Sequence, residues 1–213
     1  MPRLIDLSHA ITPQMTLFPG TPAPVIAPLA AIATDGFAEQ RLTLTSHTGT
    51  HVDAPAHLIA GAATLDVMPL RQFVGPALCI DVRHVADRRI GTEPLAAHAT
   101  LIDKADFVVF HSGWSQRWAR ADYLDGFPLL SEDAARWLVG ARLKGIGIDM
   151  ISVDDVASAA LPIHQILLGA GLLIIENLTR LDPLPTDRLF EFSCFPLPLT
   201  HADGSPVRAV ARV

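Results

Sequence analysis

Short segments that are apolar at consecutive positions are the feature that most restricts the fold of this chain. They read "ALCIDV" from Ala77, "DFVVFHS" from Asp106, "KGIGIDM" from Lys144 and "LLIIEN" from Leu172. A strand with this pattern is buried on both faces, which is typical of the parallel strands of α/β proteins. Half of the 213 residues are hydrophobic, so the chain can supply the core of one such domain.

Two segments in the second half carry helix signals. "SEDAARWLVGAR" starts with Ser131 as a candidate N-cap, and acidic residues follow in its first turn. "LPIHQILLG" starts at Leu161 with a proline near its beginning and ends in glycine. Residues 13–28 hold five prolines and show no clear period, which predicts an ordered arm or lid. We predict a single mixed α/β domain over residues 1–213, around a partly parallel sheet, with an N-terminal arm at about 13–28.

The charge pattern argues against several classes of partner. The formal net charge is −6 and no run of Lys or Arg occurs, so we expect neither nucleic acid nor an anionic membrane surface as partner. The longest apolar stretch, residues 166–175, is too short to span a bilayer. Cys79 and Cys194 lack the close spacing of a metal or redox pair and are expected to be reduced core thiols. The stretch "MPRLIDLSHAITPQ" is broken by Asp6, Ser8 and His9 and contains no apolar segment of signal-peptide length, so we expect a cytoplasmic protein.

The segment "SHTGTHVDAPAHL", residues 46–58, concentrates three of the nine histidines. In a straight strand, His47 and His51 would lie about 13 Å apart, too far to bind one ion. The backbone must therefore bend if they do, and Gly49 tolerates a bend. The β-branched residues of the segment disfavour a helix. We predict a kinked, non-helical segment that presents His47, His51 and Asp53 together.

Two imidazoles and a carboxylate suit Zn²⁺, Mn²⁺ or Fe²⁺ with coordination positions left for water. The alternative is a polar strand of Thr and His that is hydrogen-bonded over the core. The density of histidines favours the metal site over that alternative.

The same segment resembles the signature of the cyclase family of metal-dependent hydrolases, which includes bacterial kynurenine formamidases and isatin hydrolases. That signature is H-x-G-T-H-x-D-x-P-x-H, and "HTGTHVDAPAH" satisfies every fixed position. Further blocks resemble the family in the same order: "HSGWSQRW", "GIGIDMISVDD", "HQILLGAGLLIIENLTRLDPLP" and "PLTHADGSPVRAVARV". The resemblance spans nearly the whole chain and implies a fold of the swivelling β/β/α type.

The resemblance also implies roles for individual residues. His47, His51 and Asp53 match the first metal ligands, and His164 and Glu176 match the pair that holds a second metal, with Asp53 able to bridge. Glu176 ends a buried apolar run, where a carboxylate is costly without a cation. His57 matches the histidine that transfers protons, although it could instead be a further ligand or orient one. Phe18, His111 and Trp114 resemble pocket residues, with packing as the alternative. Independently of the resemblance, Asp149, Ser152 and Asp154 follow a β-rich run and are candidates to support the ligands, although carboxylates after strands are also common caps.

The implied activity is hydrolysis of a C–N amide bond with one or two Zn²⁺ or Mn²⁺ ions per subunit, in a homodimer or homotetramer. The first hypothesis is an arylformamidase that converts N-formylkynurenine to kynurenine and formate. The second is a relative with another substrate, either a lactam ring-opening hydrolase or a cyclase or dehydratase. The third is a non-catalytic module whose metal only stabilises the fold. One departure concerns the substrate: where many members read "PGD" in the arm, this chain has Gly20, Thr21 and Pro22.

Overall fold

A computed structural model of the chain describes residues 2–213. Its strands are Leu4–Asp6 (β1), Val25–Ala30 (β2), Glu39–Thr43 (β3), His51–Asp53 (β4), Val74–Asp81 (β5), Arg89–Ile90 (β6), Phe107–His111 (β7), Leu129–Leu130 (β8), Gly145–Ile148 (β9), Leu173–Glu176 (β10), Phe190–Ser193 (β11), Gly204–Pro206 (β12) and Val210–Arg212 (β13). Its α-helices are Ile32–Asp35 (α1), Glu93–Ala97 (α2), Ala99–Ile102 (α3), Glu132–Gly140 (α4) and Pro162–Gly169 (α5). Short 3₁₀ turns include Pro55–His57.

Nine strands of the described range form one mixed sheet in the order β1-β13-β11-β5-β7-β9-β10-β4-β12. The four central strands β5, β7, β9 and β10 are parallel, and the strands on either side pair antiparallel. These central strands are the continuously apolar segments of the sequence. The predicted mixed α/β fold around a partly parallel sheet is therefore confirmed.

The central strands are buried on both faces, as their sequences predict. On one face, Leu78 and Val108 belong to a core that includes side chains of α4 and α5. On the other face, Ala77 and Phe107 belong to a second core with the inward side chains of β11 and β13. Successive residues of one strand therefore pack into the cores on opposite faces of the sheet. This burial on both faces explains why no polar residue interrupts the apolar segments.

The two predicted helices form where their signals lie. Ser131 caps α4, since its hydroxyl accepts the backbone N–H of Ala134 at 3.1 Å. Pro162 is the first residue of α5, where its missing N–H costs no helical hydrogen bond. In the part of the chain that the structure describes, no helix is long and apolar enough to cross a membrane.

The proline-rich segment 13–28 ends in a hairpin that the sequence analysis predicted only in part. The β-rich run "RLTLTS" from Arg41 predicts a strand that overlaps β3, whereas the prolines in and before β2 obscure its pattern. β2 and β3 pair antiparallel as a separate two-stranded sheet with a bulge between Pro28 and Ala30. Proline is tolerated at such exposed edges and bulges. The hairpin exposes large apolar side chains, namely Val25, Leu29, Phe37 and Leu42, and Ile32 of α1 does the same.

Candidate metal centre and active site

The segment "SHTGTHVD" bends at Gly49, as predicted. Gly49 has a φ of +69°, which glycine adopts without steric cost. The side-chain amide of Asn177 donates to the Gly49 carbonyl at 3.0 Å, and the Thr50 hydroxyl donates to the Asn177 carbonyl at 2.6 Å. Asn177 follows β10 directly. Its two hydrogen bonds therefore fix the bend, which lies just before β4, against the end of β10.

The bend brings His47, His51 and Asp53 together. Nδ1 of His47 lies 2.7 Å from Oδ1 of Asp53, and Nε2 of His51 lies 3.3 Å from the same oxygen. The two imidazole rings are 5.0 Å apart and nearly perpendicular. One donor atom from each residue lies within 4.8 Å of the others, a spacing at which three ligands can meet one cation.

A second group adjoins the first and shares Asp53. Nε2 of His164 lies 3.8 Å from Oδ2 of Asp53 and 3.4 Å from Oε1 of Glu176. The other oxygen of Glu176 lies 3.5 Å from Nε2 of His51. The structure therefore gathers all five residues that the family resemblance implied as ligands, with Asp53 between the two groups.

The second group forms because β10 pairs with β4 and because α5 begins beside this pair of strands. In the antiparallel pair of β4 and β10, Glu176 stands opposite His51. His164 lies in the first turn of α5, and its Nδ1 contacts Oδ2 of Asp154 at 2.8 Å. Asp154 also accepts the backbone N–H groups of Ile163 and His164. One carboxylate thus caps the helix and turns Nε2 of His164 towards Glu176 and Asp53.

The donor set fits a divalent cation. Asp53 is 1% exposed, and its Oδ2 has no hydrogen-bond partner among residues 2–213. A buried carboxylate oxygen is costly unless a positive group meets it. Imidazole and carboxylate ligands without thiolate are the set that Zn²⁺, Mn²⁺ and Fe²⁺ share.

The electrostatics of the cluster favour positive charge. Burial opposes protonation of His47, but contacts with Asp53 and Asp203 raise its pKa to about 9. Burial also opposes protonation of His164, yet Asp154 and Glu176 raise its pKa to about 10. The carboxylates therefore stabilise protons on these imidazoles, or a cation that takes the place of those protons.

His57 lies beside the first group, in the 3₁₀ turn that Pro55 begins. Its ring is 4.1 Å from that of His47 and 6.2 Å from that of His164. It also lines a cavity of about 280 Å³ that the five ligand candidates reach. His57 therefore lies beside the donor set, on the wall of the same cavity.

The other predicted pocket residues divide into two sets. Phe18 lines the cavity, and so do Thr21 and Ser152. His111 and Trp114 are not part of its lining. His111 is buried at the end of β7 with its Nε2 3.6 Å from Asp182, and the Trp114 indole N–H donates to the Tyr123 carbonyl at 2.8 Å. For these two residues the structure favours packing, the alternative named above.

Sequence reasoning missed two residues of the site, Asn177 and Asp203. Asn177 lines the cavity and fixes Gly49. Asp203 contacts His47 at 2.9 Å and His57 at 3.3 Å. The only local signal for Asp203 is an Asp-Gly pair before a short strand, and nothing in its spacing relates it to a segment 156 positions earlier.

Comparison with known proteins gives the family of this chain. The family described as "Putative cyclase" matches residues 5–155, and the chain belongs to this cyclase family. The kynurenine formamidase of Bordetella avium is 32% identical over 100% of this chain and 99% of its own length.

Two solved structures are similar over the whole chain. Isatin hydrolase A of Labrenzia aggregata has a TM-score of 0.89 and 26% identity over 100% of this chain and 94% of its own. A potential metal-dependent hydrolase with cyclase activity has a TM-score of 0.82 and 32% identity over 100% and 98%. These relatives confirm the predicted family and enzyme class, an amidohydrolase.

Proposed function

We propose that this protein is a divalent-metal-dependent hydrolase that converts N-formylkynurenine to kynurenine and formate. The observation that carries the proposal is the buried Asp53, whose unpartnered oxygen lies between two adjoining donor groups at a cavity that His57 also lines. The choice of substrate is supported by relatives named kynurenine formamidase, which match at 30–32% identity over nearly their whole length.

We assign one or two Zn²⁺ or Mn²⁺ ions to the two donor groups. His47, His51 and Asp53 would hold one ion, and His164, Glu176 and the shared Asp53 would hold the other. When bound, such a cation polarises a carbonyl oxygen and acidifies water. Each group supplies three protein ligands and lies at the cavity, so a coordination position stays open to water or substrate. An open position favours catalysis over a purely structural ion.

His57 is proposed to move the proton. It accepts a proton from the water whose oxygen bonds to the formyl carbon. It then returns that proton to the aromatic amine as the C–N bond breaks. The products are a free amine and formic acid, which releases its own proton to solvent and leaves formate. This role requires a base beside the donor set and open to the cavity, and His57 meets both conditions.

The cavity suits a small aromatic substrate. Its volume of about 280 Å³ lies near the lower end for small-molecule sites. Leu17, Phe18 and Ile151 supply apolar surface for a ring, while the ligand candidates lie on the polar side. Thr21, which stands in the arm where many relatives carry aspartate, also lines the cavity. The departure from the family pattern therefore lies where it can alter substrate choice.

Lactam ring opening is the second candidate. It is supported by the similarity to isatin hydrolase A, which follows the whole chain with a TM-score of 0.89. A cyclase or dehydratase reaction would use the same donor set, and a non-catalytic metal module would need a closed site. The open cavity argues against the last of these.

We further propose that the protein is a cytoplasmic homodimer or homotetramer. Support for the assembly comes from the exposed apolar side chains of the β2–β3 hairpin, such as Phe37 at 56% and Leu42 at 57% exposure. Support for the location comes from Cys79 and Cys194, which are both buried free thiols. Sedimentation analysis tests the assembly, and a monomer at micromolar concentration would contradict it.

The first experiment measures formate release from N-formylkynurenine and ring opening of isatin in parallel. The full chain is reconstituted with Zn²⁺ or Mn²⁺, bound metal is quantified in the same sample, and a chelated sample is the control. We expect chelator-sensitive formate release. Bound metal with isatin opening alone would transfer the assignment to the lactam hydrolase. A chain that binds no metal would refute the proposal.

A further inference from the structure

Asp203 lies directly before β12, at a corner that is fixed against the end of β4. The backbone N–H of Ala54 donates to the Asp203 carbonyl at 2.8 Å. The next residue, Gly204, pairs with Asp53 in the sheet. Both contacts involve backbone, so they place residue 203 beside the ligand-bearing strand whatever its side chain is.

The carboxylate of Asp203 contacts two imidazoles that have different tasks in the proposed reaction. Its Oδ2 lies 2.9 Å from Nε2 of His47 and 3.3 Å from Nδ1 of His57. The other ring nitrogen of His47, Nδ1, faces Oδ1 of Asp53 at 2.7 Å. Each imidazole therefore turns one nitrogen to Asp203 and has the other available for the site.

We propose that Asp203 is a positioning residue that fixes the proton-bearing nitrogen of both His47 and His57. This inference rests on the proposed function and deepens it. On His47, Asp203 holds the proton at Nε2, so the lone pair of Nδ1 points towards Asp53 and the donor set. On His57, it holds the proton at Nδ1, so Nε2 is left as the base.

The chemistry of a carboxylate suits this double role. A carboxylate only accepts hydrogen bonds, and one oxygen can accept two of them. A carboxylate behind an imidazole sets the tautomer of a metal ligand, and it also stabilises the imidazolium that forms when a base takes a proton. The Asp203 side chain is 43% exposed, so water as well as the two imidazoles stabilises its carboxylate anion.

The test uses the full chain loaded with Zn²⁺ and compares Asp203→Asn and Asp203→Ala with the native protein. Asp203→Asn keeps the shape of the side chain and is therefore expected to fold, and circular dichroism checks that both variants are folded. The matched control is Asp187→Asn, because Asp187 is 80% exposed and pairs only with Arg188 at 3.4 Å among the ion pairs of residues 2–213.

Two measurements need no substrate. Long-range ¹H–¹⁵N spectra report which nitrogen of each histidine carries the proton, with the His57 signals assigned by their loss in His57→Gln. We expect Nδ1–H on His57 in the native protein and loss of this preference in both Asp203 variants. Chelator competition should show Zn²⁺ affinity lowered by about 10- to 100-fold. Asp187→Asn should match the native protein in both measurements.

Turnover provides the third measurement. The kcat for formate release should fall by about 10²-fold in the Asp203 variants, whereas KM should change by less than about threefold because Asp203 is not on the cavity wall. Native protein that releases no formate would refute the proposed function, while the tautomer and the affinity would still decide the role of Asp203.

Several results would overturn the inference. An unchanged His57 tautomer together with unchanged Zn²⁺ affinity would leave Asp203 as a surface carboxylate. A change at only one of the two histidines would refute the claim that one carboxylate serves both. An additional equivalent of Zn²⁺ that binds the native protein but neither variant would instead make His47, His57 and Asp203 a cation site of their own.

Discussion

Gly204 leaves no space for a side chain, because the ring of His47 lies against it. A Cβ at Gly204 would lie 2.6 Å from Cε1 and 2.8 Å from Nε2 of His47. Ordinary contact between such atoms needs about 3.5 Å, so Gly204→Ala must move the imidazole by about 1 Å. Metal ligands tolerate errors of about 0.2 Å. The substitution should therefore remove His47 from the donor set without changing any charge.

The expected magnitudes follow from this displacement. Zn²⁺ affinity should fall by at least about 100-fold, the upper end of what loss of a supporting partner costs. Turnover should fall by about 10²-fold, since a misplacement of 1 Å has that effect. The free energy of unfolding in the presence of chelator should fall by at most about 2 kcal/mol, because a side-chain end moves rather than backbone.

Chelator competition measures the Zn²⁺ affinity, formate release measures the turnover, and thermal unfolding in chelator measures the stability. The control is Gly140→Ala at the end of α4, where an added Cβ would meet nothing within 4 Å. Gly140→Ala should bind Zn²⁺ like the native protein. Native affinity in Gly204→Ala would refute the reasoning, since the ring of His47 could then move without leaving the site.

His57→Ala should keep its bound metal but lose about 10²- to 10⁴-fold in turnover, because it lacks the proposed base; full turnover at full metal content would remove His57 from the mechanism. Asp154→Ala should lower Zn²⁺ affinity by about 10- to 100-fold, because Asp154 orients His164 at 2.8 Å; native affinity in chelator competition would contradict this. With chelator present, the midpoint temperature of thermal unfolding should fall as pH rises from 6.5 to about 10. The pKa values of His47 and His164 in the folded protein are raised from 6.5 to about 9 and about 10. Over this range the folded protein keeps protons on these imidazoles while the unfolded chain has already lost them, so each rise in pH costs stability. A midpoint that rises over this range would refute the linkage.

Much of the fold was predictable because its signals are local. Strands β5, β7, β9 and β10 are short runs of consecutive apolar residues, and this pattern alone indicates burial on both faces. Helix α4 begins at a Ser N-cap that a reader of the sequence can find. Strand β2 was missed because its Pro28 suits only an exposed edge strand, and exposure is not visible in the sequence.

Only part of the donor set could be predicted from residues that are close together in the sequence. His47, His51 and Asp53 lie within seven positions around Gly49, so their spacing predicted both the bend and the metal chemistry. His164 was assigned only through the resemblance to a family, because no short-range pattern joins it to that segment. Glu176 had one further signal, its position at the end of a buried apolar run.

The sequence by itself determined a partly parallel sheet and a polar bend rich in histidine. Only the tertiary structure decided that β4 pairs with both β10 and β12, which brings Glu176 and Asp203 to the bend from distant parts of the chain. The physical reason is that antiparallel register sets which residues face each other across strands, and this register depends on how the whole sheet buries its two faces.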